Sequence, residues 1–138
     1  MATTTRALAL SLFLTGDPIR LELPVASLRD LLAALGLEGL EKAGLLPLAP
    51  RVALLHCLTG ATGSVTLRWV HLTHAPILID GAGPVETVVV LTAPMRQSGS
   101  ALRLVSRLRA CLRDPAVVEG ARSATSREGL VKILAAAE

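Results

Sequence analysis

The sequence predicts an α/β domain in which a mixed central sheet is flanked by helices. Val88, Val89, Val90 and Leu91 form an apolar run without alternation, which is typical of a strand buried on both faces of a sheet. Residues 100–113 place apolar side chains on one side of a helix and arginines on the other. Because strands and helices are mixed along the chain and helices close it, the order indicates a layered α/β architecture.

The first part of the chain predicts a hairpin followed by a helix. Residues 7–14 and 19–23 are each expected to form a strand, with a turn over residues 15–18 between them. Ser27 is a candidate N-cap for a helix whose leucines recur at helical spacing until Gly36.

The middle of the chain predicts three strands and little helix. A short second helix is expected over residues 37–43, and irregular structure over residues 45–50, which contain two prolines. Residues 52–58 and 64–72 are predicted strands. Residues 77–79 predict a short extended segment.

The second half predicts a strand followed by three helices. Residues 80–84 predict a glycine-rich turn before the strand at residues 85–91. Asp114 and Pro115 end the helix of residues 100–113 and begin a short one that runs to Gly120. Ser126 is the candidate cap of a last helix over residues 127–137.

The length and composition of the chain exclude several classes of protein. At 138 residues the chain is expected to be one domain, residues 1–138. It has one Trp, one Phe and no Tyr, so base stacking, on which many RNA-binding modules depend, is nearly unavailable. No apolar run reaches the length of a membrane span, so we expect no direct membrane insertion. The net charge of +3 permits an acidic partner without requiring one.

The two cysteines indicate a reducing compartment. Cys57 and Cys111 fall in predicted buried elements without metal-ligand spacing. The turn after residues 7–14 differs from the small-residue site that follows a signal peptide. We therefore expect reduced thiols and a cytoplasmic location.

Three segments in order carry a family resemblance. They are Val52-Ala53-Leu54-Leu55-His56, the strand from Pro84 to Pro94, and the long helix followed by Arg113-Asp114-Pro115. Over residues 51–135 the chain resembles the IIA component of the bacterial sugar phosphotransferase system, in its fructose, mannitol and nitrogen-regulatory class. The resemblance implies that fold, with His56 at a strand end as the phosphoryl acceptor. It also implies a phosphocarrier protein or a transporter subunit as partner.

The same fold is shared by the cytoplasmic domain of the anion-exchanger family, which this chain also resembles. That domain has no phosphorylatable histidine and acts as a regulatory and docking module. Two functions therefore remain open: a phosphoryl carrier, acting as a phosphohistidine phosphotransferase, and a docking domain that is not phosphorylated.

The surroundings of His56 depart from the family motif. Leu55 stands where the motif has proline, and Ser100 and Ala101 stand where it has a second histidine. Phosphoryl transfer needs an exposed imidazole nitrogen and donors for the phosphoryl oxygens. The residues that could replace the missing donors are Arg68, Arg96, Thr59 and Ser98.

Other chemistry has weaker support in the sequence. His71 and His74 lie three residues apart, but no cysteine or carboxylate cluster completes a metal site, so they are expected to be solvated surface histidines and no metal is expected. Arginines on the helix of residues 100–113 are expected to be solvated, since no nucleic-acid-binding motif accompanies them. No cofactor is expected. The high apolar content makes a homodimer a candidate assembly.

Overall fold

The computed structural model describes residues 10–22, 25, 27–37, 42–59, 64–73, 76–79 and 83–137. Its strands are β1 (Ile19–Leu21), β2 (Lys42–Ala49), β3 (Val52–Thr59), β4 (Thr66–Leu72), β5 (Ile77–Ile79), β6 (Gly83–Val85) and β7 (Thr87–Pro94). Its helices are α1 (Leu28–Ala34), α2 (Ser98–Cys111), α3 (Pro115–Ser123) and α4 (Arg127–Ala137). Two short 3-10 helices cover Leu10–Leu12 and Met95–Gln97.

Five strands form one mixed sheet in the order β1-β4-β7-β3-β2. β7 is central, parallel to β3 and antiparallel to β4. β1 lies parallel beside β4, and β2 lies antiparallel beside β3. The predicted fold class is confirmed, and the unbroken apolar run of β7 is explained by its burial on both faces.

Each face of the sheet packs against its own layer. The face that we call the helical face packs against α2 and α4 through a core that includes Leu54, Leu91, Leu104 and Leu134. The opposite face, which we call the α1 face, buries Leu55, Val88 and Val90 together with Leu31 of α1 and Ile77 of β5. Alternation along each strand therefore decides which layer a side chain meets.

The hairpin predicted at the start of the chain is wrong. Leu10–Leu12 form a 3-10 helix, and Leu14 makes an isolated parallel bridge to Leu67. Residues 7–9 lie outside the described residues. β1 pairs in parallel with the distant β4. An apolar segment can be buried as a strand or as a helical turn, and the long-range partner decides between them.

The irregular structure predicted for residues 45–50 is also wrong, because β2 continues through Pro47 to Ala49. β2 is an edge strand, so the missing N–H of proline interrupts no ladder in the interior of the sheet. The pairing shifts between Pro47 and Ala49, as expected for a bulge. The helix predicted over residues 37–43 fails at Lys42 and Ala43, which belong to β2; residues 38–41 lie outside the described residues.

The capping signals are confirmed. The Ser27 side chain accepts a hydrogen bond from the Asp30 backbone N–H at 3.2 Å, and Gly36 adopts φ +71 just after α1. Asp114 caps α3, which continues to Ser123, beyond its predicted end at Gly120. Of the predicted turn at residues 80–84, Gly83 and Pro84 belong instead to β6, which pairs with β5; residues 80–82 lie outside the described residues.

Candidate functional site

His56 lies inside β3, which corrects its predicted position at the end of the strand. It is the fifth of eight residues, and the strand continues to Thr59. Its register partners are Leu91 on β7 and Gly44 on β2. Because it alternates with the buried Leu55 and Cys57 of the α1 face, His56 is on the helical face.

The imidazole of His56 is partly buried, and one of its two nitrogens makes no hydrogen bond to the described residues. Its Nε2 is shielded from solvent and has no hydrogen-bond partner among the described residues. Burial lowers the pKa of His56 from its ordinary value of 6.5, so the ring is neutral at pH 7. A neutral imidazole is the nucleophilic form, but a shielded nitrogen cannot attack a phosphoryl group in line without a rearrangement.

Gly44 leaves room beside this imidazole. Residues directly opposite on antiparallel strands project to the same side, so a side chain at position 44 would stand next to His56. A Cβ added at Gly44 would meet no atom within 4 Å. The sheet is therefore open on the β2 side of His56.

Three of the four candidate phosphate contacts gather at one edge of the sheet. β3 and β7 are parallel, and their ends pair as Thr59 with Pro94. The chain then turns through Met95–Gln97, which carries the exposed Arg96, into α2, whose first residue is the exposed Ser98. Thr59, Arg96 and Ser98 thus lie at the edge of the sheet where β3 ends, and His56 is nearer to that end of β3 than to its start.

Arg68 is not brought to His56. It lies opposite Val90 on β4, on the α1 face of the sheet, whereas His56 is on the helical face. Its Nη2 donates a hydrogen bond to the Asp17 carbonyl at 3.3 Å, and its guanidinium packs against Gly16. The sequence could not show this separation, because it depends on strand order and on the parity of each position.

The position where the family motif has a second histidine is closed to a ligand. Ala101 is fully buried in the core under α2, and Ser100 is half-buried. The second described histidine, His71, pairs with Thr87, four residues along β7 from Leu91. At about 3.3 Å per residue this is about 13 Å from the level of His56.

His71 corrects the prediction of a solvated surface histidine. It is 4% exposed, and its Nδ1 lies 3.3 Å from Oγ1 of Thr87. It lines a cleft with two arginines, Arg20 and Arg122. Sequence reasoning missed this cluster because Arg20 and Arg122 meet His71 only through the β1–β4 pairing and the packing of α3. His74, its predicted neighbour, lies outside the described residues.

The cysteines and the possible metal ligands do not form a second candidate site among the described residues. Cys57 and Cys111 are both buried, and burial raises the pKa of Cys57 to about 11. Within the described ranges, no group of three or more His, Cys, Asp or Glu side chains is placed to hold a metal ion. In the same part of the chain, every helix is too short or too polar to cross a bilayer.

Comparison with solved structures identifies the fold. Nitrogen regulatory protein IIA-Ntr from Neisseria meningitidis superposes with a TM-score of 0.71 at 19% sequence identity, covering 90% of this chain and 97% of that one. The mannitol-specific cryptic phosphotransferase enzyme IIA CmtB from Escherichia coli matches with a TM-score of 0.43 at 19% identity, over 64% of this chain and 60% of that one. No protein-family model and no curated protein matches the sequence. The predicted likeness to the fold of IIA proteins is confirmed.

Proposed function

We propose that the chain is a IIA-like regulatory domain that docks on a phosphocarrier protein or a transporter subunit without being phosphorylated on His56. The observation that carries this proposal is the state of His56 Nε2, which is shielded from solvent and unpartnered among the described residues. A phosphoryl acceptor needs an accessible nitrogen and donors around the transferred group. Nε2 of His56 is not accessible, and within the described ranges no hydrogen-bond donor contacts it.

The surface around His56 suits a protein partner. In the described part of the chain four large apolar side chains are exposed, and three of them lie on the strand next to β3 or around the start of α2: Leu46 on β2, Met95 before α2 and Leu102 on α2. Helical spacing puts Leu102 on the same side of α2 as Arg109, which donates a hydrogen bond to the Pro47 carbonyl of β2 at 3.4 Å. Apolar residues gathered on one surface are typical of a protein interface.

Charge favours an acidic partner at this surface. Arg96 and Arg109 are exposed beside the three apolar side chains, and the chain carries a net charge of +3. An apolar centre with arginines around it is a common composition for a protein-binding surface. The occupant we propose is therefore a phosphocarrier or transporter subunit whose contact surface is acidic around an apolar centre.

A second candidate function is phosphoryl transfer through His56. It is favoured by the neutral state of the imidazole, whose pKa burial lowers, and by the open space over Gly44. Thr59, Arg96 and Ser98 are the candidate phosphate contacts, since they lie at the sheet edge beyond His56. Transfer at Nε2 would require the ring to rotate toward that space.

Phosphorylation is tested with the phosphotransferase carrier HPr and enzyme I. The chain and its His56→Ala variant are incubated with both proteins and labelled phosphoenolpyruvate, and acid-labile, base-stable phosphate is measured. We expect no label on the wild type. A label on the wild type that is absent from His56→Ala would establish the carrier function instead.

Docking is tested with unphosphorylated HPr as the probe. In an NMR titration we expect shifts at the start of α2 in the wild type and in His56→Ala alike, because docking does not use the imidazole. Leu102→Glu should weaken binding, whereas Leu12→Glu, at a residue that is equally exposed on the first 3-10 helix, should not. Absence of any shift would contradict docking on this carrier.

A further inference from the structure

A second polar cleft lies at the opposite end of the sheet from the edge where β3 and β7 end. Its volume is about 350 Å³, which is near the lower end of the range of about 300 to 1,000 Å³ that small-molecule sites occupy. Its polar lining comes from β1, β4, α3 and the start of β7, and consists of Arg20, His71, Thr73, Glu86, Thr87 and Arg122.

His71 is a buried polar group with an unused nitrogen. It is 4% exposed, and its Nε2 is shielded from solvent without a hydrogen-bond partner among the described residues. Its Nδ1 is engaged with Oγ1 of Thr87 at 3.3 Å. When the threonine hydroxyl donates to Nδ1, the ring proton is on Nε2, which is then a hydrogen-bond donor available to a ligand.

Two guanidinium groups flank this imidazole. Arg20 is directly opposite His71 in the β1–β4 pair, and Arg122 reaches the cleft from α3. Both arginines line the same cleft as His71, and burial first, then their positive charges, lower the pKa of His71. Both arginines are exposed, so their side chains can rotate away from the ring when a ligand binds.

The acidic group of the cleft is already neutralised. Glu86 accepts a hydrogen bond from Arg51 at 2.7 Å, and Arg51 lies outside the cleft lining. Arg122 is 3.8 Å from the second Glu86 oxygen and 3.5 Å from Glu119, with half of its side chain exposed. Because Arg51 makes the close pair with Glu86, the guanidinium groups of Arg20 and Arg122 leave the lining with excess positive charge.

We propose that this cleft binds a small molecule through a phosphate group, with Arg20, Arg122 and Nε2 of His71 as the donors. Arg20 and His71 come from neighbouring strands of the sheet, whereas Arg122 comes from α3, so the donors approach from two different layers. A tetrahedral phosphate accepts hydrogen bonds from several directions, whereas a carboxylate accepts them in one plane. This proposal is independent of the proposed docking function, because none of its donors borders His56.

The proposal predicts a coupling between ligand and proton binding. Among the residues that the structure describes, the charged groups lining the cleft with His71 are Arg20 on β1, Arg122 on α3 and Glu86 before β7. A bound dianion would offset the two arginines and raise the pKa of His71 from its lowered value. The complex would then bind protons more tightly than the free protein, so the affinity for the phosphate dianion, calculated from the dianion concentration at each pH, should rise as the pH falls toward the pKa of the complex.

The probe is inorganic phosphate, measured by calorimetry and by NMR titration of the His71 imidazole at constant ionic strength. Arg20→Gln and Arg122→Gln should each weaken phosphate binding about tenfold or more, as expected for the loss of a charge-assisted hydrogen bond. Arg103→Gln removes the same charge from the exposed side of α2 and should leave affinity unchanged. Phosphate should move the His71 titration midpoint upward by about one unit.

These outcomes distinguish a specific phosphate site from nonspecific electrostatic attraction of phosphate to the positively charged protein. Equal weakening in Arg103→Gln would overturn the proposal, as would an unchanged His71 midpoint in the wild type. Malonate, a dicarboxylate of similar charge whose carboxylate groups are each planar, should bind more weakly than phosphate; equal binding would overturn the preference for phosphate. The wild-type titration requires no variant, so misfolding of a variant cannot obscure the result.

Discussion

Acidification is expected to destabilise this fold through two histidines, the partly buried His56 and the buried His71. Burial lowers the pKa of His56 and of His71 below the ordinary value of 6.5. The unfolded chain, whose histidines keep that ordinary value, therefore binds more protons than the folded chain below about pH 6.5. Stability is fully present above that pH and falls as the pH drops toward the folded pKa values.

The magnitude follows from proton counting. Each histidine that takes up one proton on unfolding contributes a slope of at most about 1.4 kcal/mol per pH unit. His56 and His71 together give at most about 2.7 kcal/mol per pH unit while both stay neutral in the folded state. The loss levels off once the pH is below the folded pKa values, because both states are then protonated.

Urea denaturation from about pH 8 to about pH 5 measures this slope. His71→Gln and His56→Gln should each remove the contribution of one proton, and the slope below about pH 6.5 should become shallower by up to about 1.4 kcal/mol per pH unit. Arg103→Gln is the control and should leave the slope unchanged. Slopes that are identical in the wild type and both histidine variants would refute the reasoning.

Three further predictions concern packing and capping, and chemical denaturation checks each of them. Leu104→Ala, at a fully buried position of α2, should cost about 2 to 5 kcal/mol, whereas Leu102→Ala, at a side chain that is 61% exposed in the same helix, should stay within about 0.5 kcal/mol of the wild type; equal losses would contradict the assigned faces of α2. Gly36→Ala should destabilise by about 1 kcal/mol because φ is +71 there, while Gly99→Ala, with open space around its Cβ in α2, should stabilise slightly; a stabilising Gly36→Ala would contradict the assigned C-terminus of α1. Asp17→Ala should cost about 1 kcal/mol, because the carboxylate accepts a hydrogen bond from the Arg127 backbone N–H at 2.8 Å at the start of α4; an unchanged free energy of unfolding would show that this contact does not stabilise α4.

Short sequence patterns correctly predicted those elements that depend only on neighbouring residues in the chain or that are buried on every side. The apolar run of Val88 to Leu91 required burial on both faces, and the structure places it in the central strand β7. Ser27 and Asp114 act as caps where the sequence indicated them, since a cap depends only on the residues of its own turn.

Elements that depend on distant partners were not predictable in the same way. Pro47 indicated irregular structure, but it is accommodated because β2 is an edge strand, which is a property of the whole sheet. Residues 19–21 do form a strand, but its partner is β4 rather than the preceding segment. Pairing between segments about fifty residues apart leaves no local mark in the sequence.

The residues of the candidate site differ in the same way: some of their positions could be predicted from local sequence, and others depend on distant partners. The sequence placed His56 on a buried strand, and the parallel pairing of β3 and β7 explains why Thr59 and Ser98 lie at the same sheet edge. Arg68 was an equally reasonable candidate by residue type, yet it lies on the other face and two strands away. The cleft of His71 escaped notice because its arginines come from elements far apart in the chain.

Chemical phosphorylation with phosphoramidate tests most directly whether Nε2 of His56 is shielded, because this small donor needs no partner protein. The folded chain and the urea-unfolded chain are treated in parallel, phosphohistidine is located by mass spectrometry under basic conditions, and the Nε2 and Nδ1 isomers are distinguished by phosphorus NMR. We expect phosphate on Nε2 of His56 in the unfolded chain and none on that nitrogen in the folded chain. Phosphorylation of Nε2 of His56 in the folded chain at the rate of the unfolded one would contradict the shielding and restore the phosphoryl-carrier function.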